Sequence, residues 1–223
     1  MKNKKFIILF SIVFILQVYT EIVKGQTADE YRANLFFKVV EKVIFIEDLQ
    51  KTNFVVATHG CHPEFVKLLE KTKPNPFFTG IKYEFETFNQ SNITKYDIIF
   101  VDWSKNDELD KIFSNLKNSV KSQPKTKSYL LFSNNWQNKS KVCINFLINQ
   151  NGEFAGFEFH QDNLNEMNIN LDNAFAELNG IDLHSRELIA KAKDDLEKVQ
   201  KELQLKENEL NKTIVELEKQ QKQ

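Results

Sequence analysis

Apolar and polar positions divide the chain into a densely patterned front part and a long, sparsely apolar tail. In residues 28–48, Leu35, Phe36, Val39, Val40, Val43, Ile44 and Phe45 recur at helical spacing. The end of that stretch, 43–46, suits a short strand. NFVVAT (53–58) is a short β-branched run that predicts a buried strand. Pro63 then opens a helix whose face is Phe65, Val66, Leu68 and Leu69. Lys73-Pro74-Asn75-Pro76 breaks the chain. IKYEFETF (81–88) alternates strictly and predicts a half-buried strand. YDIIFVDW (96–103) and SYLLF (128–132) read as fully buried strands, with a helix between them carrying Leu109, Ile112, Phe113 and Leu116. VCINFLI (142–148) and residues 153–159 flank Asn149-Gln150-Asn151-Gly152, a hairpin signal. A short strand over 167–171, a helix over 172–178 and a break at Asn179-Gly180 complete the front part. Buried strands alternating with helices, followed by a hairpin, predict one α/β domain: a mixed sheet flanked by helices.

The tail has a different period. Ile189, Leu196, Leu203, Leu210 and Leu217 recur every seven residues, with Ala192, Val199, Lys206 and Thr213 three positions after the first four. This is a coiled-coil pattern. The first set is apolar throughout, and the second only early on. Lys206 and Thr213 weaken the seam and restrict its register. Eight acidic and eight basic residues are interspersed from Lys191 to Gln223, and no Gly or Pro follows Gly180. The expected seam of a parallel homodimer is Ile189, Leu196, Val199, Leu203, Leu210 and Leu217. The alternative is a single helix packed on its own domain.

Charge and composition then narrow the function. Thirty basic and 31 acidic residues give a net charge of −1. That gives no electrostatic case for nucleic acid as a partner. Residues 1–5 are basic and 6–18 are largely apolar, a run short for a membrane span. This is the layout of a secretory signal, with cleavage expected after Gly25. The expected organisation is a signal at 1–25, an α/β domain at 26–188 and a coiled coil at 189–223. The mature protein is expected to be exported and periplasmic, or membrane-anchored if the signal stays uncleaved. Cys61 and Cys143 form a candidate disulfide in an exported chain.

Catalytic motifs are scarce. His59-Gly60-Cys61-His62 brings three ligand types into one turn, but zinc sites draw ligands from several places. Its position after a strand, at the edge where α/β sheets bind ligands, makes His59, Cys61 and His62 a candidate sensing loop. Asp97 and Asp102 bracket one strand, and Trp103 and Trp136 each follow one. The rival reading is an exported enzyme built around His59, Cys61 and Asp102. The chain carries no phosphate-cradling glycine loop, serine elbow or HExxH, so no catalytic residues, cofactor or metal are assigned.

Three segments carry a family resemblance: NLFFKVVEKVIFIED (34–48); NFVVATHG (53–60) with YDIIFVDWS (96–104); and INFLINQNGEF (144–154) with INLDNAFAELNGIDLHSRELIAKA (169–192). Together they resemble the YfiR-like family of exported α/β domains. Gly180-Ile181, Ser185 and Leu188 hold the places of that family's closing break and helix. Ile46-Glu47-Asp48 stands where the family has a Trp-Pro motif. Residues 159–167 look like an insertion, and the family's cysteine pairs are not matched. The resemblance implies regulation rather than catalysis. Relatives restrain a membrane-bound diguanylate cyclase in trans, or form the sensing end of histidine kinases. The expected function is a non-enzymatic sensor that controls a membrane signalling partner, a kinase or a cyclase, through its coiled coil.

Overall fold

The structure, a computed structural model, describes residues 27–46, 51–122 and 127–221. The expected signal at 1–25 lies outside them. Among the described residues, no helix is long and apolar enough to cross a membrane.

In chain order the elements are α1 (Ala28–Glu41), β1 (Val43–Phe45), β2 (Asn53–His59), α2 (Pro63–Thr72), α3 (Pro76–Thr79), β3 (Lys82–Thr87), β4 (Ile98–Val101) and α4 (Asn106–Ser122). Then come β5 (Leu130–Asn134), β6 (Ile144–Ile148), β7 (Phe154–Phe159), α5 (Gln161–Glu166), β8 (Ile169–Leu171), β9 (Ile181–Asp182) and α6 (Leu183–Gln221). The main sheet has seven strands in the order β3-β2-β4-β5-β6-β7-β9. The first five are mutually parallel; β7 runs antiparallel to β6, and β9 parallel to β7. The fold class is therefore the expected one, an α/β mixed sheet flanked by helices.

The parallel strands follow the doubly wound order 2-1-3-4-5, which reverses direction between β2 and β4. The β2–α2–β3 unit winds one way and β4–α4–β5 the other. Right-handed crossovers then put α2 and α4 on opposite faces. α1 shares the α2 face. Its Phe36 lies 4.7 Å from Phe132 and 6.0 Å from Phe100, and Phe65 of α2 lies 5.2 Å from Phe100. α4 closes the other face with Leu109, Ile112, Phe113 and Leu116. Fully burying such side chains contributes about 1.5–3 kcal/mol each, so this aromatic and aliphatic interior dominates stability.

The short strands expected at 43–46 and 167–171 are present as β1 and β8, which pair with each other in a separate antiparallel ribbon, Val43 with Leu171 and Phe45 with Ile169. Residues 172–178, expected as a helix, wind as a 3-10 turn: Asp172 caps the Ala174 amide, and Asn179 in the left-handed region stops it. The insertion-like stretch at 159–167 holds α5.

α6 is one continuous helix of 39 residues, about 58 Å long, and crosses the expected 188/189 boundary without a break. Because β9 runs against the parallel strands, α6 leaves from the edge that holds their N-terminal ends.

Candidate functional site

The β2/β4 reversal sets the most informative surface, since loops after neighbouring strands part there and leave a crevice at their C-terminal ends. The loop after β2 brings Gly60, Cys61 and His62. The turn after β4 brings Asp102, Trp103, Ser104 and Lys105. β5 brings Asn134. Gly60 has φ +71°, and a Cβ there would lie 2.6 Å from both Lys105 Cγ and Ser104 Oγ. Only glycine lets the two loops close in this way. Ser104 Oγ donates to the Gly60 carbonyl at 3.2 Å, tying them together.

The three residues of the candidate sensing loop do separate jobs. His59 turns its Nε2 to Glu108 Oε2 on α4, 3.0 Å away. Hydrogen bonds from Lys105 and His59 hold the Glu108 carboxyl below its usual range. His62 is the N-cap of α2, its Nδ1 accepting from the Glu64 amide at 3.3 Å. Cys61 points inward, its Sγ 3.8 Å from the Phe100 carbonyl and 3.9 Å from that of His59. Burial, reinforced by the negative Asp102, pushes its thiol up to about 12. It therefore stays protonated at neutral pH, the opposite of a primed nucleophile. Cys61 lines a cavity of about 450 Å³ between α2 and the ends of β2 and β3. Phe85 and Pro63 give that cavity apolar surface, while Lys67, Glu70 and Glu86 give it charge.

The candidate Cys61–Cys143 disulfide is not formed; both cysteines are free. Topology forbids it. Cys61 follows the C-terminal end of β2, whereas Cys143 precedes the N-terminal end of β6, with β4 and β5 between. Three strand spacings alone are about 14 Å, and a disulfide needs Cα atoms within about 7 Å. Cys143 is a buried thiol, likewise pushed up to about 12 by burial.

The bracketing aspartates part company. Asp97 sits under the opposite edge, where it accepts from the Val55 amide at 2.9 Å and pairs with Lys51 at 3.1 Å and with Lys127. It is a structural anchor. Asp102 faces the crevice, accepts from Asn134 Nδ2, and lies 3.9 Å from Arg32 Nη1. Trp103 is exposed at the rim and Trp136 is buried.

Arg32 is the residue that sequence reading missed. α1 carries it, buried, across to Asp102, with its guanidinium 4.4 Å above the Phe65 ring and paired to Asp29. Its signal was present: Arg32 precedes Leu35, Phe36 and Val39 at i+3, i+4 and i+7, so a cation occupies the apolar stripe. Arg32 Nε, Asn106 Oδ1 and Asn134 Oδ1 are buried there with no protein partner. Buried orphans of this kind gather in polar networks that bind or respond. Among the described residues no group of three ligating side chains converges to hold a metal ion.

The second functional surface is α6. Ile189, Leu196, Val199, Leu203 and Leu210 are between 57% and 69% exposed, so the seam does not pack against the domain. The side chain of Leu217 lies outside the described residues. The helix is held at its root, where His184 Nδ1 meets Asp162 Oδ2 of α5 at 2.9 Å. No family model matches this chain, and no curated protein matches it.

Proposed function

We propose that the protein is an exported, non-enzymatic sensor or regulatory domain. It pairs through α6 and passes its state to a membrane signalling partner of kinase or cyclase type. The single observation that carries this reading is the exposed heptad seam of α6. A helix about 58 Å long with apolar residues every seven positions costs solubility unless another helix covers it. The resemblance to YfiR-like domains supports regulation. The Arg32–Asp102–Asn134 network and the cavity beside Cys61 supply a place for a small ligand to act, one end of the domain away from the root of α6. A signal shifts such a device only if it binds two packings with different affinity.

A photo-crosslinking side chain at Leu196, introduced in cells, tests the reading. The expected products are a crosslinked pair of this chain and a conjugate with a membrane-embedded kinase or cyclase. Recovery of monomer alone overturns the pairing, and absence of any membrane conjugate overturns the signalling role.

A further inference from the structure

α3 is a knuckle between α2 and the edge strand β3, and it is rigid. Pro74 and Pro76 stiffen its entry. Asn75 Oδ1 caps the Phe77 amide at 2.9 Å, and the Gly80 amide donates to the Pro76 carbonyl at 2.8 Å with Gly80 in the left-handed region. The Ile81 amide donates to Thr79 Oγ1 at 3.2 Å. What this frame displays is Phe77 and Phe78, 88% and 82% exposed, their rings 5.5 Å apart and edge-on. No other large apolar side chains among the described residues are as exposed. A fold that spends two prolines, a side-chain cap and a left-handed glycine on holding two adjacent phenylalanines in water is displaying an anchor.

The surroundings of that anchor are cationic. Lys71, Lys73 and Lys82 flank it, and from 71 to 83 the chain has no carboxylate, although the whole chain is balanced at −1. Lys82 pairs with Glu84 at 2.6 Å, and the pair is exposed. Lys73 follows α2 directly before the knuckle, and its ammonium rests 6.0 Å from the Phe85 ring of β3, from which it can swing outward. The knuckle projects from the edge holding the N-terminal ends of the parallel strands. α6 leaves from the same edge, but from β9, six strand spacings or about 29 Å away. The anchor is therefore separate from the α6 seam.

We propose that the Phe77–Phe78 knuckle docks the domain on an anionic lipid surface. The two rings enter the boundary between headgroups and acyl chains, and Lys71 and Lys73 meet the lipid phosphates. Adjacent apolar insertion and cationic flanks are the two requirements of interfacial binding. A protein groove would need an acidic rim around an aromatic slot, whereas an anionic bilayer offers both chemistries over its whole area. This inference does not depend on the pairing of α6, and its failure leaves that reading intact.

The test is co-sedimentation of the chain from Gln26 onward, which contains every described residue and lacks the apolar run at 6–18. The probes are phosphatidylcholine vesicles with and without phosphatidylglycerol. Binding is expected only with the anionic lipid and falls as salt rises. Phe77→Ser with Phe78→Ser weakens it by about tenfold or more. Lys71→Gln and Lys73→Gln each weaken it by about fivefold. Both phenylalanines are exposed, so the double variant keeps its fold, which circular dichroism checks. No binding by the parent chain, equal binding to neutral vesicles, or binding that survives the double phenylalanine change overturns the proposal. Indifference to vesicles combined with crosslinking from position 78 to an envelope protein makes the occupant a protein and also overturns it.

Discussion

Leu203 and Leu205 give the sharpest test of the α6 reading, because the two are equally leucine and almost equally exposed, at 57% and 64%. Only the heptad distinguishes them. Leu203 lies on the seam with Ile189, Leu196 and Leu210, whereas Leu205 lies two positions further round the helix. Full burial of a leucine side chain contributes about 1.5–3 kcal/mol. Slightly over half of that surface remains exposed on Leu203, so covering it in a pair contributes about 1 kcal/mol per chain. Alanine removes most of this without disturbing the helix, since alanine is the best helix former. A symmetric dimer loses the contact twice, about 2 kcal/mol in all, or roughly a 30-fold rise in the dimer dissociation constant. Leu205→Ala is expected to leave the constant within about twofold, since it removes no interchain contact. Sedimentation equilibrium of both variants beside the parent chain measures this. Equal weakening by the two variants refutes the register. A parent chain that stays monomeric on the order of tens of micromolar refutes pairing through this seam altogether.

Glu202 and Glu207 fall on the positions flanking the seam, where a parallel pair sets like charges against each other; Glu207→Lys is expected to tighten the dimer severalfold at low salt and less at high salt, read in the same assay. Folding raises both thiols to about 12. Their contribution to stability is therefore whole below the unfolded thiol value of about 8.5 and is lost as pH rises from there toward about 12. Alkylation of native Cys61 by iodoacetamide at pH 8 is accordingly expected to run about a thousandfold slower than in urea, followed by mass spectrometry; comparable rates refute the buried, protonated thiol. Asp97→Ala strands Lys51 and Lys127 in a largely buried site and is expected to cost about 3 kcal/mol in urea unfolding. Gly180→Ala puts a Cβ 2.4 Å from the Phe157 ring and is expected to cost about 1–3 kcal/mol in the same assay.

Most local elements and the heptad are legible along the chain. NFVVAT, YDIIFVDW and SYLLF read as buried strands because a strand covered on both faces needs apolar residues at every position, and that composition survives any tertiary context. The seven-residue recurrence of Ile189, Leu196, Leu203 and Leu210 is likewise a purely local signal. The C-terminal-edge position of the loop 59–62 followed from strand polarity alone. Tertiary structure decided what depends on which strands become neighbours. The order β3-β2-β4-β5-β6-β7-β9 places Cys61 and Cys143 at opposite ends of the sheet, so a disulfide that cysteine count allowed is impossible. Asp97 and Asp102 stand at the two ends of β4, and only tertiary contacts give them different work: Asp97 anchors Lys51 and Lys127, while Asp102 joins the crevice network. Arg32 acquires its place only when α1 crosses the sheet and sets a cation against Asp102 and Phe65. The two-residue β9 and the β1–β8 ribbon are held by pairing with distant segments rather than by their own propensity. Spacing along a chain encodes which face of an element is apolar; the long-range pairing that makes a site is fixed only when those faces bury one another.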